Sequence, residues 1–393
     1  MRRPLALPIT RDNRLMILAL FLWGMGEGLF LYIEPLALKE LGADPVQIGR
    51  VLAAAALAAG LAHVPAGYLA DRFGRKPVLV AGWVLGVIAS LMMYLARDLA
   101  LFVPALIGYT FTSFVVAPLN AYVSEARGQQ SVQRAVTLVM AGFYAGSIVS
   151  PALGGFIARG LGMRAVFGVA TGMFVISTLA MLLLTPQPRT GPQPGHTRYG
   201  ALFQNRPFLG FLALILVALL AMQIGVPFMP NYVVEVRGFD VGVVGVLGSA
   251  ASAGIVIFSV LFGQRLPRRG FMLAQGLMLV CFVLLLAATS QVWLMAAYFF
   301  RAGWQLARSM ATAQVSRVVQ TGELGLALGM TETVGTVATV LGPLVAGVLY
   351  ARSPALPFQL SLLLILLSLP LVWRFAPRRD AHSAVGAQDA EAG

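Results

Sequence analysis

Cysteine occurs once in this 393-residue chain, histidine three times, and lysine only as Lys39 and Lys76. One cysteine, Cys281, excludes an intramolecular disulfide and a thiolate metal cluster. His63, His196 and His382 are too scattered to form a ligand set, so neither metal nor cofactor is expected. Charged residues make up 11% of the chain, against roughly a quarter in a soluble domain. No ATP-binding loop is present: the glycines Gly24, Gly26 and Gly28 follow no strand and form no nucleotide loop. No clustered nucleophile and base suggests an enzyme. Soluble segments are too short for the signalling domain that a receptor would add.

What the chain has instead is apolar length. Hydrophobic residues are 59% of the sequence, and a single water-excluded core stops growing at about 250–300 residues. In a bilayer, lipid-facing positions must be apolar too. Twelve stretches each reach the roughly 20 residues a span needs. They run near 15–38, 47–70, 77–96, 99–124, 132–158, 163–185, 207–235, 240–263, 271–289, 291–318, 324–350 and 355–375. The first is read as an uncleaved span. A net charge of +13 raises nucleic acid as a partner, but its distribution argues against that. With the N-terminus inside, 19 Lys and Arg fall on cytoplasmic segments and seven on outer ones. The positive-inside rule then places both termini in the cytoplasm, in the inner (plasma) membrane.

The longest polar interruption, 186–206, is proline-rich and is expected to link an N-terminal six-helix bundle (1–185) to a C-terminal one (207–376), with a disordered tail at 377–393. The halves repeat. A shift of 196 residues puts Asp44 on Asp240, Gly49 on Gly245 and Gly67 on Gly263. Further on the shift is 192, putting Pro151 on Pro343 and Gly155 on Gly347. Such repeats mark secondary transporters, whose substrate site lies near the bilayer midplane.

After the second span the sequence reads Gly67-Tyr-Leu-Ala-Asp71-Arg72-Phe-Gly74-Arg75-Lys76. This resembles the G-x-L-x-D-R-x-G-R-K signature of the major facilitator superfamily. The second half keeps a degraded copy at Gly263, Arg265, Arg268 and Arg269, without the aspartate. The resemblance implies an all-α fold of twelve transmembrane helices in two pseudo-symmetric bundles. It also implies a gating loop in which Asp71 latches the cytoplasmic side against a helix N-terminus. The bland alternative is that the basic residues only anchor topology. In the fifth span, Gly146-Ser-Ile-Val-Ser150-Pro151-Ala-Leu-Gly154-Gly155 resembles the G-x-x-x-G-P-x-x-G-G motif of the superfamily's antiporters, with Ser150 in place of a glycine. Gly342, Pro343 and Gly347 echo it in the eleventh span. Close helix packing by small residues explains the same pattern without any coupling role.

Glu27 lies in the middle of the first span, where a charge costs at least ~2.5 kcal/mol. Glu34, seven residues on, falls on the same face of a continuous helix. The twelve-span drug–proton antiporters also carry acids on their first helix. The resemblance therefore implies proton coupling at Glu27, with Glu34 as its outer neighbour; a structural ion pair is the alternative. Those antiporters' arginine on the fourth span is missing here, where Pro104, Ala105, Leu106, Ile107 and Gly108 stand. Arg301, near mid-depth in the tenth span, could face Glu27 or anchor an anionic substrate. Arg308 is expected to pair with Glu332. Gln223 aligns with Glu27 in the repeat. Asn120, Tyr109, Tyr144, Asn231, Trp304 and Gln305 are further candidates for lining a cavity, each as apt to satisfy a neighbouring helix.

The sequence thus predicts a secondary transporter, not an enzyme. It would be a monomer that exports small amphipathic or cationic compounds against protons by alternating access. Import of an organic anion or nutrient on Arg301 and Arg308 is the rival reading, followed by a lipid translocase and a receptor.

Overall fold

Backbone groups inside a bilayer can be satisfied within a single segment only by a helix, and helices are what these apolar runs form. The computed structural model describes residues 9–187, 205–262, 267–315, 319 and 324–375. Of the expected linker, residues 188–204 lie outside these, as does the expected tail at 377–393. Among the described residues there are sixteen α-helices and no strand. In the first part of the chain these are α1 (Arg11–Leu31), α2 (Glu34–Glu40), α3 (Pro45–Phe73), α4 (Arg75–Leu95), α5 (Leu99–Phe111), α6 (Val116–Glu125), α7 (Val132–Leu161) and α8 (Met163–Leu182). Then come α9 (Arg206–Gln223), α10 (Met229–Glu235), α11 (Val241–Phe262), α12 (Pro267–Ala287), α13 (Gln291–Phe300), α14 (Gly303–Val315), α15 (Leu324–Arg352) and α16 (Leu356–Phe375).

Eleven helical segments among the described residues are long and apolar enough to cross a membrane. The tenth expected span is instead the pair α13 and α14, of 10 and 13 residues, parted by a turn at Arg301 and Ala302. That turn falls where the apolar run carries a charge and then Gly303. The chain is therefore an all-α, multi-pass membrane protein of roughly twelve spans.

The interruptions have a rhythm. The first span breaks at Tyr32–Ile33, the fourth at the 3₁₀ turn Thr112–Val115, the seventh at Ile224–Phe228 and the tenth at Arg301–Ala302. The spans between them, α3, α4, α7, α8, α11, α12, α15 and α16, run unbroken. Every third span is thus discontinuous, as in transporters whose substrate and ion sites gather at unwound helices. In the seventh span the opened backbone is met by a side chain: Gly225 N–H donates to Ser361 Oγ at 2.9 Å.

Two compact units can be distinguished. The first comprises Met1–Asp44, Ala54–Gln193 and Val233–Ser249; the second comprises Pro45–Ala53, Pro194–Tyr232 and Ala250–Gly393. In the first unit α1 packs along α7 and α8, and α4 along α5 and α8. Contact between α1 and α7 is backbone on backbone. A Cβ added at Gly24 would lie 2.2 Å from the Phe143 carbonyl oxygen, one at Gly146 2.3 Å from that of Phe21, and one at Gly154 1.9 Å from that of Leu29. Without a hydrophobic driving force in lipid, such close approach supplies the packing that holds helices together. In the second unit α9 packs on α15 and α16, and α12 on α14 and α16.

The residues paired by the internal repeat make equivalent contacts. In the first unit, a Cβ at Gly245 would lie 2.4 Å from the Pro151 carbonyl oxygen and 2.7 Å from the Gly155 Cα. In the second, a Cβ at Gly49 would lie 2.4 Å from the Pro343 carbonyl oxygen and 3.2 Å from the Gly347 Cα.

Gly74 alone joins α3 to α4, with φ 89° and ψ 156°, a region that only glycine occupies readily. Gly74→Ala is expected to cost about 1–3 kcal/mol. The check is the thermal midpoint of the purified protein: an unchanged midpoint would mean that the turn re-forms another way.

Candidate functional site

Glu27 is flanked by glycines for a packing reason. Gly24 meets the Phe143 backbone, Gly26 the Phe174 ring and Gly28 the Ser150 hydroxyl, so α7 and α8 pack tightly on α1 at the turn that carries Glu27. The serine that departs from the antiporter motif fits this arrangement, since Ser150 Oγ donates to the Gly24 carbonyl at 3.3 Å. Glu27 itself is partly buried, and the fourth span supplies its hydrogen-bond partner. Tyr109 Oη donates to Glu27 Oε2 at 3.0 Å. Three aromatic rings pack against that of Tyr109. Trp23 stacks on Tyr109 with 6.1 Å between centroids and 10° between planes, and Phe174 stacks on Tyr109 at 5.6 Å. Phe30 meets Tyr109 edge-on at 5.1 Å. Among the described residues no Lys, Arg or His forms an ion pair with Glu27.

Glu34 does not continue the face of α1. The helix stops at Leu31, and Glu34 opens α2 after the break, with Pro35 behind it. It nonetheless stays close enough to Glu27 for the two carboxylates to feel each other's charge.

In the second unit, Arg301 sits partly buried at the turn between α13 and α14, near enough to Cys281 to act on it electrostatically. Arg308 Nη2 and Glu332 Oε2 form an ion pair at 2.6 Å, joined by the Thr312 hydroxyl 3.3 Å from Glu332 Oε1. Gln223 ends α9, buried, its methylenes packed on Gly342, and its Oε1 has no hydrogen-bond partner among the described residues. Asn231 on α10 is also buried, while Trp304 and Gln305 lie partly buried in the first turn of α14. In the first unit Asn120 and Tyr144 are partly buried as well, and neither hydrogen-bonds to Glu27.

The gating-loop cations are engaged locally. Arg75 binds Glu125 of α6, the Ala121 carbonyl (3.3 Å) and Gln187 Oε1 (3.1 Å). Lys76 donates to the Leu182 and Leu184 carbonyls, satisfying the open end of α8. Arg72 Nη1 donates to Tyr68 Oη at 2.9 Å. The side chains of Asp71, Arg268 and Arg269, and the surroundings of Gly67, lie outside the described residues, as do Gly263 and Arg265.

Sequence reasoning missed the aromatic enclosure of Glu27 and the partners of Arg75. Trp23 carried a usable signal, one helical turn before Glu27 and hence on its face. Phe174 and Glu125 carried none, because their proximity depends on tertiary packing.

A sequence model of the Major Facilitator Superfamily matches residues 16–266 and 257–393. The chain belongs to that superfamily, and it is a transporter embedded in the membrane that acts on a small-molecule substrate. It is similar to Multidrug resistance protein 1 of Bacillus subtilis (strain 168), 22% identical over 377 residues that span 90% of this chain and 94% of the relative. It is also similar to the Quinolone resistance protein NorA of Staphylococcus aureus (strain MSSA476), 20% identical over 342 residues, covering 84% of this chain and 88% of the relative. The crystal structure of the nucleoside transporter NupG superposes with a TM-score of 0.75 at 16% identity, covering 93% of this chain and 98% of that one. At that identity the likeness extends to the fold.

Proposed function

We propose that this transporter exports small amphipathic or cationic compounds in exchange for protons, with Glu27 as the group that binds proton and cation in turn. The observation that carries the reading is the Glu27–Tyr109 pair: an acid deep in the first span whose side-chain hydrogen bond comes from a neutral hydroxyl. A carboxylate held by a neutral hydroxyl, with no ion pair among the described residues, can take up and release a proton without breaking one, and ionisable groups at this depth commonly mark proton and ion pathways. The aromatic rings add faces suited to a lipophilic cation. Multidrug and quinolone resistance among the similar proteins supports export. Glu34, at the break after α1, serves as the outer neighbour, and the broken spans supply the alternating access. Both termini face the cytoplasm, and the protein works as a monomer in the inner membrane.

The test uses purified protein in liposomes with a pH-sensitive dye inside. Lipophilic cations are expected to drive proton movement; movement driven by organic anions alone would overturn the reading. The rival reading, import of an anion on Arg301 and Arg308, loses support from the Arg308–Glu332 pair, which engages one of its two binding charges.

Tyr109→Phe keeps the ring stack on Trp23 and Phe174 and removes only the hydroxyl. A hydrogen bond to a charged group contributes about 1.5–3 kcal/mol, so substrate-driven proton flux is expected to fall about tenfold or more with little change in thermal stability. Full flux in this variant would show that the hydroxyl plays no part in coupling.

A further inference from the structure

At one end of the first unit, the end of α2, the α4–α5 connection and the start of α8 enclose a cavity of about 250 Å³. Its floor is apolar, and Met93, Phe102 and Phe167 there are almost wholly buried. Its rim carries three charges, Arg97, Arg164 and Glu40, all exposed. None of the three makes an ion pair among the described residues. The acid beside Arg97, Asp98, is turned away to cap α5, accepting from Leu101 N–H at 3.1 Å. Arg164 is held by one edge only: its Nε donates to the Tyr94 carbonyl at 3.1 Å, and its guanidinium lies 6.0 Å from the centre of the Tyr94 ring. Its two terminal nitrogens have no acceptor among the described residues and can serve an outside one.

The depth of this cavity is set by the helices around it. α4 ends at Leu95, α5 begins at Leu99 and α8 begins at Met163, so the rim lies where spans end and headgroups begin. Tyr94, 40% exposed, stands there as interfacial aromatics do. A space of this size is below the usual range for a drug-sized ligand but holds a headgroup. Arginine forks at the end of a span match the phosphate of a lipid headgroup in geometry and charge. Here the charge pattern is two positive and one negative, which asks for an anion and a cation on the same molecule.

We propose that this cavity binds the headgroup of a phospholipid that bears a primary ammonium. The phosphate sits on the forks of Arg97 and Arg164, and the ammonium donates to Glu40. The glycerol and first acyl carbons cover Met93, Phe102 and Phe167. A choline headgroup has no N–H for Glu40, and a glycerol headgroup brings no cation to it. The inference stands apart from the transport reading, because it uses none of the same residues.

The experiment takes the full chain, delipidated in detergent, and measures retention of dioleoyl-phosphatidylethanolamine, -phosphatidylcholine and -phosphatidylglycerol by native mass spectrometry. The wild type is expected to hold phosphatidylethanolamine best. Arg97→Ala with Arg164→Ala is expected to weaken that retention about tenfold or more. Glu40→Gln is expected to erase the preference for phosphatidylethanolamine over phosphatidylglycerol. Equal retention of the three lipids by the wild type overturns the proposal, as does wild-type behaviour of the double variant. Should the double variant not fold, an unchanged preference in Glu40→Gln is enough to overturn it. O-Phosphoethanolamine, which lacks acyl chains, is expected to compete only at far higher concentration; competition as strong as the lipid's would reject a lipid as occupant.

Discussion

Glu27→Gln is expected to abolish cation-driven proton movement in liposomes, a fall of roughly 100-fold or more if the group transfers protons as positioned acids and bases do. Glutamine has nearly the same shape, and its amide oxygen can still accept from Tyr109 Oη, now 3.0 Å from Glu27 Oε2. The contacts of Gly24, Gly26 and Gly28 with Phe143, Phe174 and Ser150, which seat α1 against α7 and α8, are untouched, so the thermal midpoint is expected to stay near that of the wild type. A folded protein without proton flux would separate chemistry from structure at this position. Binding of a lipophilic cation, measured by quenching of a fluorescent cation, is expected to weaken without vanishing, since the aromatic faces remain. If Glu27→Gln still moves protons when cations are added, the carrier lies elsewhere and Glu27 is a structural acid satisfied by Tyr109. Glu34→Gln is the companion variant. Its smaller expected effect follows from its place on α2 beyond the helix break.

How far such residues could be read from the sequence depended on whether their geometry is local. Spans were legible because apolar runs of roughly 20 residues have one solution in lipid. The contacts of Gly49 with Pro343 and of Gly245 with Pro151 correspond to a repeat visible in the letters, since equal spacing in two halves implies equal packing. The pair of Arg308 with Glu332, 2.6 Å apart, was expected from opposite charges on consecutive spans. Helix breaks were not foreseen. Seven residues of separation suggested one face for Glu27 and Glu34, but the turn at Tyr32–Ile33 ends that periodicity. The break at Arg301 likewise split a run whose hydropathy looked continuous. Nothing in the order of residues announced that Tyr109, 82 positions from Glu27, donates its hydroxyl to it. Such a contact is set by how α5 lies beside α1, and that angle comes from packing.

Gly154→Ala is expected to be the most disruptive single methyl in the first unit. Its Cβ would lie 1.9 Å from the Leu29 carbonyl oxygen, and the gap has to open beyond 3.0 Å before real atoms fit. The obstacle is backbone, so no side-chain rotation relieves it. α1 and α7 must part, and the contacts of Gly24 with Phe143 and of Gly146 with Phe21 part with them. Forced overpacking costs about 1–3 kcal/mol and occasionally more; a clash with backbone belongs at or above the top of that range, a large share of a marginal total stability. Gly160→Ala, on the same helix with nothing within 4 Å, is the control and is expected to be neutral. Thermal unfolding of both variants in detergent, followed by size-exclusion elution, makes the comparison. Equal midpoints would mean that α1 slides without loss and that the glycine motif is not a packing device. Leu29 is two residues from Glu27, so displacing it also displaces the carboxylate from Tyr109. Whatever fraction of Gly154→Ala still folds is therefore expected to lose proton coupling, which ties the small residues of α7 to the acid on α1 through one shared backbone contact.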